Sequence, residues 1–172
     1  MASVAWSLSR PSNPMVLVLN TTVELTQETI ETCPPSRPPR PLDRLFKVPG
    51  IRSVDLHRYR ARLNLAPDAD RDEITLQVCE LLGKDWGSTS SKRDEPAQTF
   101  GVSYAGPRLV AESLRMAGSQ PILREVFGVR GVAEAILELG QVRVRLGRLF
   151  SWAEVEGDLR RALERAASSW AS

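Results

Sequence analysis

The strongest constraint on the fold of this chain is an internal repeat. The sequence PLDRLFKVPG at residues 41–50 returns as PILREVFGVRG at residues 121–131. Self-similarity at a fixed offset indicates repeated structural units. The matching positions lie 81 residues apart. The matched pairs are Leu42/Leu123, Phe46/Phe127, Gly50/Gly131, Leu56/Leu137, Arg62/Arg143, Leu65/Leu146, Ile74/Val155, Val78/Leu159 and Leu82/Leu163.

The repeat predicts how the 172 residues divide into domains. We expect a first unit at 1–83, a linker at 84–98 and a second unit at 99–172. The linker is predicted because this stretch is rich in Gly, Ser, Thr, Lys and Asp and poor in large apolar residues. Units of this size bury only modest cores.

Within each unit the pattern predicts a short helix, a β-hairpin and a longer helix. Hairpin strands are expected at 51–56 with 59–65, and at 133–139 with 142–146, where apolar and polar residues alternate. Asp70 with Glu73, and Ser151 with Glu154, have the spacing of a capping box at a helix start. The predicted fold class is α+β: two similar two-layer units from an internal duplication, each an antiparallel sheet covered on one face by helices.

Several other segments carry weaker patterns. Short apolar runs at 4–8 and 15–19 predict strands, whereas 23–32 fits either a strand or a frayed helix. Residues 107–117 resemble a helix, because a proline lies near its start and Gly118 follows its end. Five prolines within 34–41 predict an extended connector, with a PxxP-type ligand as the alternative.

Charge and cysteine content restrict the class of function. The 23 basic residues nearly balance the 21 acidic ones, unlike the strong excess of a dedicated nucleic-acid binder. No apolar run approaches the roughly 20 residues that cross a bilayer, and no signal-peptide pattern opens the sequence. Cys33 and Cys79 match no metal-binding spacing. We therefore expect a cytoplasmic protein without a disulfide framework and without membrane attachment.

The repeated motif resembles the N-terminal domain of Nfu/NifU-type scaffold proteins. In the first copy Pro41, Leu42, Leu45, Phe46, Pro49 and Gly50 carry the resemblance, and Pro11, Asn13 and Pro14 resemble that family's Pro-Asn-Pro turn. In the second copy Leu123, Val126, Phe127, Gly131 and Val132 carry it, and Ser151–Trp152 resembles the family's Asp-Trp. The second copy lacks the Pro-Asn-Pro turn, and the first copy has Asp70–Arg71 in place of Asp-Trp.

The resemblance implies an accessory role beside iron–sulfur scaffolds. Full-length members of that family bridge a cluster through a C-terminal Cys-x-x-Cys, which this sequence does not contain. Because cluster ligation needs grouped thiolates, we expect no cofactor here. No Gly-rich phosphate loop or catalytic set is recognisable, so we expect a non-enzymatic protein-interaction module. The resemblance implies a protein partner, with the iron–sulfur assembly machinery as its expected source.

Arginines on the hairpin strands are the main candidate binding residues. Alternation places most of them on the sheet face opposite the core. Arginine forks bind phosphates and carboxylates in a bidentate manner. The candidate residues for partner or anion binding are Arg58, Arg60, Arg62, Arg143, Arg145 and Arg148. A solvated face paired with nearby acids is the competing interpretation, and a small anion- or nucleic-acid-binding protein is the alternative function.

Remaining candidates have plainer interpretations. We expect His57 to be an exposed turn residue, and Cys79 to be a half-buried inert thiol rather than a redox or metal site. Cys33 is expected to be a free thiol, with intermolecular pairing as its alternative. Phe46 and Phe127 are predicted to be buried at equivalent points, one in each core.

Overall fold

The computed structural model describes residues 4–34, 37–91 and 94–170, with side chains to residue 168. Part of the proline-rich segment and part of the predicted linker therefore lie outside the described residues. Two antiparallel four-stranded sheets with helices confirm the α+β class. The chain divides into two compact units, Met1–Lys92 (unit 1) and Arg93–Ser172 (unit 2). The division falls inside the segment 84–98.

Unit 1 contains four strands and two helices. The strands are β1 (Trp6–Ser9), β2 (Val16–Thr21), β3 (Ile51–Leu56) and β4 (Arg60–Leu65). A 3₁₀ helix (Leu42–Lys47) precedes β3, and α1 (Arg71–Trp86) follows β4. The sheet order is β1-β2-β4-β3. Asp70 caps α1, because its carboxylate accepts hydrogen bonds from the backbone N–H groups of Asp72 and Glu73.

Unit 2 contains four strands and three helices. The strands are β5 (Gln98–Gly101), β6 (Leu109–Ala111), β7 (Val132–Glu138) and β8 (Gln141–Leu146). The helices are α2 (Leu114–Ala117), α3 (Pro121–Phe127) and α4 (Trp152–Trp170). The sheet order is β5-β8-β7-β6. At the start of α4 the Ser151 hydroxyl donates to Glu154 Oε1 at 2.8 Å.

Three strands of each sheet correspond at the 81-residue offset. β2-β4-β3 in unit 1 matches β5-β8-β7 in unit 2. Leu17 opposes Leu63, and their counterparts Gln98 and Val144 oppose each other in the same register. Each hairpin carries one register irregularity, between Ile51 and Ser53 and between positions 132 and 134. Residues 81 positions apart therefore have the same strand partners and lie at the same register irregularity. The predicted duplication would explain this agreement.

The corner before each hairpin is built the same way in both units. Gly50 has φ 96° and Gly131 has φ 106°, a conformation that residues with a Cβ rarely adopt. The carbonyl of Gly50 accepts from Ala66 N at 2.8 Å, and that of Gly131 accepts from Gly147 N at 2.8 Å. Gly50 and Gly131 thus turn the chain from the short helix into the hairpin in the same way.

The helices pack on one face of each sheet. In unit 1 the core contains Leu42, Leu45, Leu63, Val78 and Leu82, which are fully buried. In unit 2 the buried set includes Leu123, Val126, Phe127, Val144 and Leu159. Phe127 is fully buried as predicted, but Phe46 is only partly buried. The prediction for Phe46 was wrong: the 3₁₀ helix of unit 1 buries only Leu42 and Leu45, whereas the α-helix at the corresponding place in unit 2 also buries Phe127.

The sheets differ in their fourth strand. In unit 1 the extra strand β1 pairs with β2, whereas in unit 2 the extra strand β6 pairs with β7. At the edge of β3 that corresponds to the β6 edge of β7, unit 1 forms an isolated β-bridge between Ile30 and Leu56. The counterpart of Leu56, Leu137, pairs with Leu109 of β6.

Two predicted elements were wrong. Residues 107–117 form β6 and the separate short helix α2 rather than one helix, because Leu109–Ala111 pairs with the edge of β7. The Ser113 hydroxyl then accepts from Met116 N at 3.1 Å and starts α2 anew. Residues 23–32 contain neither a helix nor a strand beyond the bridge at Ile30.

Candidate functional site

The outer face of the unit 1 sheet is polar because β4 alternates strictly. Ala61, Leu63 and Leu65 point into the core, whereas Arg60 and Arg62 are exposed on the opposite face. In the sheet register Arg62 lies between Val18 of β2 and Asp55 of β3. The predicted placement of these two arginines on the outer face is therefore seen in the structure.

A hollow of about 490 Å³ opens on this face. We call it the arginine hollow, because Arg52 and Arg62 both line it. Its other lining residues are Asn13, Met15, Val16, Thr32, Ser53, Asn64 and Leu65. The hollow thus combines two cationic side chains and several uncharged polar groups with an apolar part.

Hydrogen bonds fix the polar part of the hollow. Asn64 Nδ2 donates to Ser53 Oγ at 3.0 Å and to Asp55 Oδ2 at 3.1 Å. The other carboxylate oxygen of Asp55, Oδ1, accepts from the backbone N–H of Thr32 at 2.8 Å. Both carboxylate oxygens of Asp55, which opposes Arg62 across the β3–β4 pair, are therefore engaged by neutral donors.

Two turns hold the rim of the hollow. Asn13 Oδ1 accepts from Met15 N at 3.0 Å, which fixes the turn before β2. Thr32 has φ 50°, a left-handed conformation that is unusual for a β-branched residue. Backbone strain of this kind is often found near functional sites. Asn13 belongs to the turn that resembles the Pro-Asn-Pro turn of the Nfu family.

The guanidinium groups of this face are not neutralised by neighbours. Within residues 4–34, 37–91 and 94–170, Arg52, Arg60 and Arg62 form no ion pair and no side-chain hydrogen bond. Exposed arginines elsewhere in the described residues pair with nearby acids, as Arg108 does with Glu138 and Arg165 with Glu125. The face therefore retains positive charge that can attract an anion.

The same face of unit 2 is partly neutralised. Arg145, the counterpart of Asn64, pairs with Glu134 at 3.4 Å, and Glu134 replaces Ser53. Arg143, the counterpart of Arg62, remains exposed, but Ala133 replaces Arg52. Hydrogen bonds from Gln141 and Arg108 hold the pKa of the Glu138 carboxyl below its usual range. The paired-acid interpretation therefore describes unit 2, and the candidate anion site lies in unit 1.

Arg58 does not belong to the exposed set, which corrects its selection as a binding residue. Its side chain is 6% exposed, and Nη2 donates to Glu24 Oε2 at 3.3 Å. The guanidinium also lies 5.2 Å from the centre of the Tyr59 ring. Arg58 lies in the connection between β3 and β4, where alternation no longer fixes direction. Its contacts indicate a structural role.

Arg148 and Arg52 show where strand alternation fails as a guide. Arg148 is exposed but lies beyond the end of β8, so it does not share the strand face with Arg143 and Arg145. Arg52 lines the hollow although it was not selected from the sequence. The register irregularity between Ile51 and Ser53 sets its position. The alternation of apolar and polar residues does not predict a β-bulge. The glycine at position 50, directly before the strand, is the sequence signal for a possible bulge at this place.

The remaining candidates carry no site. His57 is half-buried in the β3–β4 connection, rather than fully exposed as predicted. Cys33 is buried and Cys79 half-buried, both are free thiols, and burial raises the pKa of each thiol. Among the described residues, no group of three or more His, Cys, Asp or Glu side chains is arranged to hold a metal ion. In the same ranges no helix is long and apolar enough to cross a membrane.

No family model, curated protein or solved structure matches this chain. The resemblance to the Nfu N-terminal domain therefore remains an expectation from the sequence motifs.

Proposed function

We propose that this protein is a non-enzymatic interaction module that binds an acidic segment of a protein partner in the arginine hollow of unit 1. The observation that carries the proposal is the pair of exposed guanidiniums, Arg52 and Arg62, which form no ion pair among the described residues, while the Asp55 carboxylate opposite Arg62 is hydrogen-bonded to neutral donors. Guanidinium groups without a partner favour a carboxylate or phosphate that supplies two acceptor oxygens.

The apolar part of the hollow supports a peptide rather than a free anion. Of the apolar lining residues, Val16 and Leu65 are already buried, and Met15, 37% exposed at the rim, supplies the apolar surface that remains open. A side chain of a protein partner could cover this apolar surface while its carboxylate contacts the arginines. A small inorganic anion would leave the apolar surface uncovered.

Nucleic acid is the second candidate, and two observations count against it. The described lining residues of the hollow include no aromatic ring, so no base can stack there. The formal net charge of the chain is only +2, which is small for a protein whose affinity comes from phosphate contacts. These observations favour the acidic protein partner.

Binding to a fluorescein-labelled, glutamate-rich peptide tests the proposal. We expect saturable binding that weakens with added salt. Arg62→Gln should weaken it about tenfold, since a charge-assisted hydrogen bond contributes about 1.5–3 kcal/mol. The matched control is Arg143→Gln, which makes the same change at the counterpart position in unit 2 and should leave binding unchanged. Tighter binding to a single-stranded oligonucleotide than to the peptide would favour the second candidate.

The resemblance to the Nfu N-terminal domain suggests which partners to look for. We propose that the module assists the maturation of iron–sulfur proteins in the cytoplasm by binding, without itself holding a cluster. Capture from cell extract with the wild-type protein and with an Arg52→Gln/Arg62→Gln variant tests this. Recovery of cluster-assembly proteins by the wild type alone would support it. Their equal recovery by the double variant would contradict a role for the hollow.

A further inference from the structure

Among the described residues, unit 2 has no counterpart of the strand that closes one edge of the unit 1 sheet. In unit 1, β1 pairs with β2, and Trp6 opposes Thr21. The counterpart of β2 is β5, which ends its sheet and pairs only with β8 among the described strands. The edge of β5 that faces away from β8 is therefore open within unit 2.

A cleft of about 640 Å³ lies at the end of this open edge. Val102 and Ser103 form one side of it, and Leu163 and Ala167 of α4 form the other. These positions correspond at the 81-residue offset to Thr21, Thr22, Leu82 and Trp86 of unit 1. The cleft therefore occupies the place that is filled by the packing of β1 in unit 1.

In unit 1 that place is filled by aromatic side chains. Trp6 is 1% exposed, its ring centre lies 6.4 Å from that of Trp86, and its Nε1 donates to Gly87 O at 3.0 Å. Tyr59 is also buried, at 3% exposure. In unit 2, Gly140 stands at the position of Tyr59 and Ala167 at that of Trp86. Both replacements remove large side chains.

Leu163 shows the consequence of the missing strand. Its counterpart Leu82 is completely buried, whereas Leu163 remains partly exposed on the wall of the cleft. The open backbone edge and the uncovered apolar wall lie next to each other. An added strand with one large aromatic side chain would cover both at once.

We propose that the open edge of β5 binds an extended segment of a partner protein as an added antiparallel strand, with an aromatic side chain inserted into the cleft. The segment should resemble β1 in its pattern of aromatic, polar, aliphatic and polar residues. Its aromatic residue would oppose Val102 as Trp6 opposes Thr21, and its aliphatic residue would oppose Phe100 as Leu8 opposes Leu19.

The backbone contacts of the added strand follow from the same comparison. In unit 1, Thr22 N donates to Ala5 O at 3.0 Å across the β1–β2 pair. The counterpart of Thr22 is Ser103, which is exposed beside the cleft. Ser103 N is therefore expected to donate to the bound segment. Because backbone N–H directions alternate along a strand, the N–H of Gly101 is expected to point toward the segment as well.

A second copy of this chain fits the edge less well. Pairing of β5 with the β5 of another copy would bring in Gln98–Gly101. The large side chain of that strand, Phe100, is already buried at 8% exposure beside Trp152, with ring centres 5.9 Å apart. Such pairing would leave the cleft unfilled, so an aromatic-bearing segment of another protein is favoured.

The test uses the full chain and a labelled peptide with the sequence of residues 4–10, VAWSLSR, as the probe. We expect saturable binding and slower hydrogen exchange at the amides of Gly101 and Ser103. A peptide with Trp6→Ala should bind at least about tenfold more weakly. In the protein, Ala167→Trp should fill the cleft and weaken binding to the same degree.

The control variant is Leu76→Trp, which adds an indole at a position of α1 that is 73% exposed. It should bind the peptide like the wild type. The Ala167→Trp protein should unfold at the wild-type temperature or above, which shows that its loss of binding is not a loss of folding. The proposal fails if the peptide does not saturate, if Ala167→Trp binds normally, or if protection appears at β2 instead. It also fails if β5 becomes protected by raising the protein concentration alone.

Discussion

Gly131 lies so close to Val155 that a Cβ on the glycine would come within 2.8 Å of Val155 Cγ2. The counterpart pair in unit 1, Gly50 and Ile74, has the same relationship, with 2.7 Å to Ile74 Cδ1. Both glycines also have positive φ. Each unit therefore requires glycine at this corner for two independent reasons, backbone conformation and the approach of the following helix.

Gly131→Ala is expected to destabilise unit 2 by about 2–5 kcal/mol. Roughly 1–2 kcal/mol comes from the positive φ and about 1–3 from overpacking against Val155. Gly140→Ala is the control, because Gly140 has φ 72° but no atom near the position of its Cβ. Gly140→Ala should lower the free energy of unfolding only by the contribution of the positive φ. Hydrogen exchange of the β7 and β8 amides would measure both, and equal costs would contradict the packing argument.

The two phenylalanines of the repeated motif should differ in importance. Phe127→Ala should cost about 3–5 kcal/mol, the usual range for a buried phenylalanine. Phe46→Ala should cost at least about 1 kcal/mol less, because the Phe46 side chain is only partly buried. Denaturant unfolding of the two variants provides the comparison. A larger loss for Phe46→Ala would mean that Phe46, not Leu45, anchors the unit 1 core.

Arg58→Ala should reduce stability rather than binding. The change removes the contacts with Glu24 and with the Tyr59 ring from a buried position. We expect a cost of about 2–3 kcal/mol, below that of a fully buried pair because the Glu24 side chain is 37% exposed. Arg60→Ala, at an exposed position, should stay within about 0.5 kcal/mol of the wild type. If Arg58→Ala kept full stability and lost peptide binding, Arg58 would be a binding residue after all.

The cysteines should react slowly with thiol reagents at neutral pH. Burial raises the pKa of both thiols, which lowers the fraction of reactive thiolate. Cys79 should react before Cys33, because Cys33 is only 3% exposed.

The raised pKa of both thiols also determines how their burial affects stability as the pH changes. The protonated thiols favour the folded state below their ordinary pKa, and this contribution declines as pH rises through the raised values. Rapid modification of Cys33 at pH 7 would contradict its burial.

The hairpins and the two long helices were predictable because their patterns are local. Strict alternation in β4 and β8 fixes which face is buried, and Asp70 marks the start of α1 by its own hydrogen bonds. The strand β6 was not predictable in this way. It has three residues, and it forms by pairing with β7. This tertiary contact outweighs the helix signals at the two ends of residues 107–117.

The binding face was only partly predictable for a related reason. Arg60 and Arg62 follow from alternation, but Arg52 lies at a register irregularity and Arg58 lies in a connection. The uneven charge of the two units could not be predicted either. It depends on which acids oppose the arginines across the strands, as Glu134 does with Arg145.

The most direct test of binding at the arginine hollow is a titration with the glutamate-rich peptide, followed by NMR of the arginine Nε–Hε groups. The central claim is that the arginine hollow of unit 1 presents two unpaired guanidiniums beside an apolar surface, whereas unit 2 has Ala133 in place of Arg52 and pairs Arg145 with Glu134. The resonances of Arg52 and Arg62 should therefore shift together and saturate at one peptide concentration, while those of Arg143 and Arg145 stay unchanged. Equal shifts in both units, or shifts confined to unit 2, would contradict the account.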